Sequence, residues 1–311
     1  MSFEKIKKRI VGVNVVVITP FKKDKSIDEE GLRQNLRFMM DNGLVEGKGV
    51  FIVGGSTGEL FTLKVEERKR LIEIAVDEIN GKAPVLFGCN HSGTDIVIEL
   101  AKHAQDVGAD GVMITPPYYW TSPDDETIFN HYKLIGEKID LGIMVYNNPF
   151  IVNKDISVEL MKRMVENIPN IVAIKECSNN LIKFERMVRE ISGKISFING
   201  NGEFIEPYAY MMGSVGYISG LANCMPKETV ELHEACSKGD YEKGKQFHLR
   251  VAPYMDFLIS LPPGNAITAL KETMNMLGMP AGPVRPPLTP LTDEQRKILR
   301  KILINMGLLK K

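Results

Sequence analysis

The sequence predicts an α/β protein, a (β/α)8 TIM barrel with a C-terminal helical extension. From about residue 10 to 220, short β-branched runs alternate with stretches of helical period. Eight strand candidates joined by seven helical intervals give the count that closes a parallel barrel. After Ile218 the alternation stops and helical segments take over. A doubly wound open sheet is the alternative. It would carry a glycine-rich dinucleotide fingerprint after its first strand, where this chain reads Thr19-Pro20-Phe21.

The strands are expected at 13–18, 49–53, 84–88, 111–115, 141–146, 171–175, 195–199 and 215–218, each a short apolar run between turn-forming residues. The helices are expected at 28–41, 64–79, 94–107, 124–138, 155–165, 180–191 and 203–212. Together they make a catalytic barrel over residues 1–224. Residues 225–311 form the extension, with helices at 227–237, 241–261 and 265–277. A crossing through Pro280, Pro283, Pro286, Pro287 and Pro290 follows, then a last helix opened by the capping sequence Thr292-Asp-Glu-Gln. This tail is expected to complete the outer ring or supply packing and oligomer contacts, and carries no obvious chemistry.

The composition excludes several function classes. Among 311 residues, 44% hydrophobic and 25% charged, 39 basic side chains cancel 39 acidic ones. No global field then draws the protein to nucleic acid or a membrane surface. Lys5, Lys7, Lys8 and Arg9 precede the apolar run at 13–18, but that run is short and carries Asn14. It lacks a small-residue cleavage site, so this start reads as a solvated lead-in rather than a signal peptide. No apolar stretch reaches membrane-spanning length. Cys89, Cys177, Cys224 and Cys236 are scattered, which suggests neither disulfides nor a zinc site and makes the cytoplasm the default. The five histidines are equally dispersed, so no metal is expected.

Barrel active sites lie at the C-terminal ends of the strands, and reading those positions is a test of the assignment. Hydroxyls, phenols and glycines gather there around a single lysine, Lys175. Alternation along Ile171-Val172-Ala173-Ile174-Lys175 places Ala173 and Lys175 on one face, Val172 and Ile174 on the other. An ammonium at the last inward position is costly to desolvate, so its pKa should fall and free amine become available for Schiff-base chemistry. The plain alternative is a strand-end lysine that snorkels to solvent. The loop Gly54-Gly55-Ser56-Thr57-Gly58-Glu59 offers amides and two hydroxyls to an anion, a carboxylate above all; a ligand-free βα turn is the alternative. Tyr146 ends the neighbouring strand, where a phenol suits proton transfer beside an amine, or a structural hydrogen bond. Tyr118-Tyr119-Trp120 is a further aromatic group on this rim or a plug at a subunit contact, and His91 is expected to be a bystander.

Gly-Ser-Thr-Gly-Glu at 55–59, Tyr-Tyr at 118–119, Tyr-Asn-x-Pro at 146–149 and Ile-Lys-Glu at 174–176 together resemble the dihydrodipicolinate synthase / N-acetylneuraminate lyase family. These are class I, Schiff-base-forming lyases, and the likeness runs from Ile18-Thr-Pro-Phe to the Pro-rich stretch at 282–288. The resemblance implies that Lys175 condenses with pyruvate or a related 2-oxo acid, forming a covalent imine without a cofactor, and that an aldehyde is the other partner. It implies that Tyr146 shuttles protons, and that Ser56 and Thr57 beside Gly55 hold the substrate carboxylate, Ser56 also joining a relay to Tyr146. Tyr119 would reach a neighbouring subunit's site in a homotetramer built as a dimer of dimers. Gly200 and Ile218 would line the pocket.

One departure bears on substrate. Where the synthases usually carry an arginine after Tyr-Asn-x-Pro, this chain has Ile151, which cannot pair with a carboxylate. Gly-Ser-Thr-Gly and Pro-Tyr-Tyr-Trp resemble the lyase and sugar-acid aldolase branches. The function expected is therefore a 2-keto-3-deoxy sugar acid aldolase or N-acetylneuraminate lyase-like enzyme. The alternatives are 4-hydroxy-tetrahydrodipicolinate synthase, a dehydratase of the same family, or a non-catalytic barrel that binds a 2-oxo acid.

Overall fold

In the computed structural model, which describes residues 2–119, 123–262 and 264–310, eight parallel strands close in chain order. They are β1 (Gly12–Val16), β2 (Gly49–Val53), β3 (Val85–Gly88), β4 (Gly111–Ile114), β5 (Gly142–Asn147), β6 (Ile171–Glu176), β7 (Ser196–Asn199) and β8 (Gly216–Ser219). β1 closes the ring, with Asn14 opposite Val50 on β2 and Ile218 on β8. The helices are α1 (Phe3–Arg9), α2 (Glu29–Asp41), α3 (Val65–Ile79), α4 (Thr94–Asp106), α5 (Asp125–Gly136), α6 (Pro149–Val152) and α7 (Val158–Asn167). There follow α8 (Leu181–Ile191), α9 (Glu206–Met211), α10 (Pro226–Ser237), α11 (Tyr241–Ser260), α12 (Asn265–Met276) and α13 (Asp293–Asn305). The fold class is the one expected from the sequence.

Strand residues are buried on both faces, as parallel strands under a helical layer must be. Outward side chains such as Val15, Phe51, Val145 and Ile174 pack under the helices. Inward ones such as Ile52, Leu86, Met113, Met144 and Ala173 fill the barrel. Val172 departs from the expected alternation. The β5–β6 register shifts after Ile143: Ile143 pairs Ile171 while Met144 already pairs Ala173, so a bulge turns Val172 into the inner cluster. Ala173 and Lys175 keep their inward positions, and all six residues of β6 are buried.

The basic start is not a solvated lead-in. It forms α1, whose Ile6 and whose C-cap Ile10 are 1% and 0% exposed and join the inner cluster that closes the barrel's N-terminal end. Spacing of four residues puts both isoleucines on one helical face, while Arg9 reaches Glu46 at 2.8 Å and also bonds Asp110. Two helices also begin later than expected. Asp155 is drawn off by Asn147 Nδ2 at 2.8 Å, leaving Ser157 to accept from Leu160 N–H and cap α7. Gly202–Phe204 is a separate 3-10 turn ahead of α9.

The tail divides by position. α10 packs against β1 and α11, whereas α11, α12 and α13 bury a second core with Ile18 and Leu221 from the barrel's C-terminal end. Beyond completing a ring, the tail therefore covers the mouth. No helix among the described residues is long and apolar enough to cross a membrane.

Because α1 stoppers the barrel, Ile6→Ala should lower the unfolding free energy by about 2–5 kcal/mol in urea titration. An unchanged midpoint would show that α1 is not part of the core.

Candidate active site

A cavity of about 410 Å³ opens at the C-terminal ends of the strands. Its wall includes Val16 of β1, Thr57, Tyr146, Lys175, Gly200 and Ile218, and Tyr254, Met255, Leu258, Ile267 and Leu270 from the tail. Lys175 stands opposite Tyr146 on β5 and Ile198 on β7 in the strand register. It is 5% exposed, so it does not snorkel to solvent. Its Nζ lies 3.8 Å from the centroid of the Tyr146 ring, whose face favours positive charge on nitrogen, ammonium or protonated imine alike.

The carboxylate next to it in sequence is occupied elsewhere. Glu176 points to the opposite side of the strand, accepting from Asn147 Nδ2 at 2.8 Å and Ser178 N–H at 2.6 Å, with Lys183 Nζ at 3.2 Å. Among the described residues no carboxylate forms an ion pair with Lys175. Cys177, also on the cavity wall, is no rival nucleophile, because burial pushes its thiol up to about 12. The wall thus presents one amine, beside a phenol.

The Gly54–Glu59 segment turns back sharply after β2. Gly54 has φ +71°, and a Cβ there would meet the Phe87 ring at 2.8 Å. Gly55 then heads a 3-10 turn whose first internal bond runs from Gly58 N–H to Gly55 O at 3.0 Å. The Ser56 and Thr57 amides precede that bond, the position from which short helical turns offer donors to a ligand. Thr57 lines the cavity; Ser56 is half-buried beside it and is not among the lining residues. The relay from Ser56 to Tyr146 is not formed. Tyr146 Oη instead accepts from Asn148 Nδ2 at 3.1 Å, a residue two positions along the same chain turn.

Gly200 and Ile218 both line the cavity. Gly200 sits so close to the end of β6 that a Cβ would fall 2.1 Å from Cys177 Sγ and 2.6 Å from Glu176 O. Tyr119 does not reach this cavity. It is 94% exposed at φ +100°, and Trp120 lies outside the described residues. His91 accepts from Gly93 N–H at 2.9 Å, a local turn contact. Among the described residues no cluster of His, Cys, Asp and Glu is placed to hold a metal.

Sequence reasoning missed the cavity's tail-derived roof and Glu203. A glutamate at an expected helix start reads as solvated; here it is 2% exposed and lines the cavity. It receives a hydrogen bond from Ser219 Oγ, and its own carbonyl faces His248 Nδ1 at 3.1 Å. Burial raises its carboxyl from the ordinary 4.5 to about 7. Its folded-state value lies above its unfolded one, so the stability it confers is present below about 4.5 and is lost as pH rises through about 7. Against Glu203→Gln, the parent should lose on the order of 3 kcal/mol across that window, read from urea midpoints at pH 4 to 8. Parallel pH profiles for the two proteins would contradict the burial of this carboxyl.

The model of the dihydrodipicolinate synthetase family matches residues 9–306. The chain is 37% identical over 300 residues to a 4-hydroxy-tetrahydrodipicolinate synthase of Methanocaldococcus jannaschii, covering 96% of this chain and 99% of that one. It is 36% identical over 302 residues to the synthase of Methanopyrus kandleri, covering 97% and 98%. Among solved structures, dihydrodipicolinate synthase from Aquifex aeolicus superposes with a TM-score of 0.90 at 31% identity, over 97% of this chain and 100% of that one. A dihydrodipicolinate synthase of Acinetobacter baumannii complexed with pyruvate gives 0.89 at 29% identity, over 96% and 100%. The chain belongs to the dihydrodipicolinate synthetase family of Schiff-base-forming lyases.

Proposed function

We propose that this enzyme joins pyruvate to an aldehyde, or splits such an adduct, through an imine on Lys175. The observation that carries the reading is a buried lysine without a carboxylate partner, 3.8 Å from the ring of Tyr146, in the wall of an open cavity. The pyruvate complex of the Acinetobacter relative supports pyruvate as the first substrate.

In this reading the substrate carboxylate rests on the Ser56–Thr57 turn, which aims the keto carbon at Lys175 Nζ. The amine adds to that carbon, and loss of water leaves a protonated imine. The imine withdraws electrons, so Tyr146 Oη, left as a phenolate after protonating the departing water, takes a proton from C3 and an enamine forms. C3 of the enamine then bonds to the aldehyde carbon while Tyr146 delivers a proton to the aldehyde oxygen. Water finally adds to the imine, and its hydrolysis frees the product and restores the amine. In the cleavage direction Tyr146 takes the proton from the C4 hydroxyl as the C3–C4 bond breaks. Asn148, bonded to the phenol oxygen at 3.1 Å, holds that oxygen in place in the single chain. The exposed Tyr119 fits the family expectation of contact with a second copy of the chain.

Two observations bear on the aldehyde and pull apart. The relatives' names support 4-hydroxy-tetrahydrodipicolinate synthase, a better-supported choice than the sugar-acid aldolase expected from the sequence. The second reading rests on Ile151. It is 50% exposed and lines the cavity with Phe150, where an arginine would be needed to hold a second carboxylate. That rim favours an acceptor without a carboxylate at this end, as in cleavage of a 2-keto-3-deoxy sugar acid.

Borohydride reduction with pyruvate should add a three-carbon fragment to the peptide carrying Lys175, and Lys175→Ala should abolish turnover with the fold intact. An unmodified peptide would overturn the reading. Tyr146→Phe should lower kcat by about 10²–10⁴-fold, the usual worth of a general acid–base group, and an unchanged kcat would remove Tyr146 from the proton path. Saturable turnover with aspartate semialdehyde assigns the synthase. Its absence, with pyruvate released from sugar acids, assigns the aldolase.

A further inference from the structure

The most deeply buried ion pair among the described residues lies outside the cavity. Lys271 of α12 and Glu59 are 1% and 0% exposed, with Lys271 Nζ 2.7 Å from Glu59 Oε1. The same ammonium donates to Thr19 O at 3.0 Å and Pro283 O at 2.8 Å. Its three protons thus join three separate segments: the chain leaving β1, the turn after β2, and the proline-rich crossing of the tail. The other oxygen of Glu59 accepts from Arg285 N–H at 2.9 Å, and Phe21 lies under the ammonium at 4.2 Å. Burying such a pair costs desolvation that a stable core could avoid with apolar residues, so its place in the fold invites a role.

Glu59 directly follows the Ser56–Gly58 turn as its C-cap and adopts the left-handed conformation, φ 59° and ψ 34°, uncommon for a glutamate. Glu59 N–H bonds Ser56 O at 3.0 Å, so the restrained residue is directly coupled to the front of the turn. Thr19 Oγ1 adds a bond to Gly58 O at 2.7 Å from the same side. The helix that supplies Lys271 also supplies Ile267 and Leu270 to the cavity wall.

We propose that Lys271 is a positioning residue for the substrate carboxylate, locking through Glu59 the turn whose Ser56 and Thr57 amides receive it. This rests on the assignment of that turn as the carboxylate site. It makes the tail part of the site's precision, because the anchor is placed by α12 and sealed by the crossing at Pro283. A loosened turn holds pyruvate poorly, yet an imine once formed reacts normally, since neither Lys175 nor Tyr146 touches the pair.

The test compares steady-state kinetics of the parent, Lys271→Met and Glu59→Gln, with borohydride trapping by pyruvate on each. The expected result is a KM for pyruvate raised by about tenfold or more with kcat held within about threefold, and trapping at Lys175 that saturates only at higher pyruvate. Glu59→Gln keeps shape and an acceptor oxygen, and decides the matter should Lys271→Met fail to fold. A folded variant with lowered thermal stability but parental KM and trapping curve would overturn the proposal, leaving the pair structural. Failure to trap the parent at Lys175 would instead overturn the imine reading itself, so the two failures are distinguishable.

Discussion

The site depends on one constraint: an amine is held at the inner end of β6 with no carboxylate to neutralise it. Strand alternation sends Lys175 inward and the adjacent Glu176 outward, where Asn147, Ser178 N–H and Lys183 occupy its oxygens. Were the register shifted by one residue, the glutamate would face the cavity and the lysine the helices. The bulge at Val172 lies upstream of both and leaves their facing intact. The chemistry open to this barrel therefore follows from pairing geometry several residues away from the reacting atoms.

Around that amine the other elements act mainly to limit freedom. Glycines at 54 and 200 permit approaches that a Cβ would block, bringing the β2 turn and the end of β7 close to their neighbours. Tyr146 contributes twice, its ring face beside Lys175 Nζ and its hydroxyl on Asn148. The tail then covers the mouth with Tyr254, Met255 and Leu258, which face a barrel wall that carries Thr57, Tyr146 and Lys175. Such an arrangement suits a reaction in which charge appears on one nitrogen and water should be scarce.

Much of this was legible in the chain. Strand positions were readable because parallel strands buried on both faces are short, continuous apolar runs with abrupt ends. The cavity-lining positions of Tyr146, Lys175, Gly200 and Ile218 followed, because the fold dictates where strand ends converge. What could not be read was set by contacts between distant segments. Ile6 and Ile10 sit among lysines, and only the open end of the barrel explains their burial. Glu203 has the sequence appearance of a solvated helix start, yet α11 lies over it. The pairing of Lys271 with Glu59 spans most of the chain and has no local signature. The expected Ser56–Tyr146 contact depended on the turn after β2 meeting the end of β5, and Asn148 reaches the phenol first.

The most direct test of the central claim is a crystal structure after soaking with pyruvate. Continuous density from Lys175 Nζ to the keto carbon, with the carboxylate on the amides of Ser56 and Thr57, is the predicted result. Pyruvate bound elsewhere, or an unmodified Lys175 turned from the cavity, would contradict it.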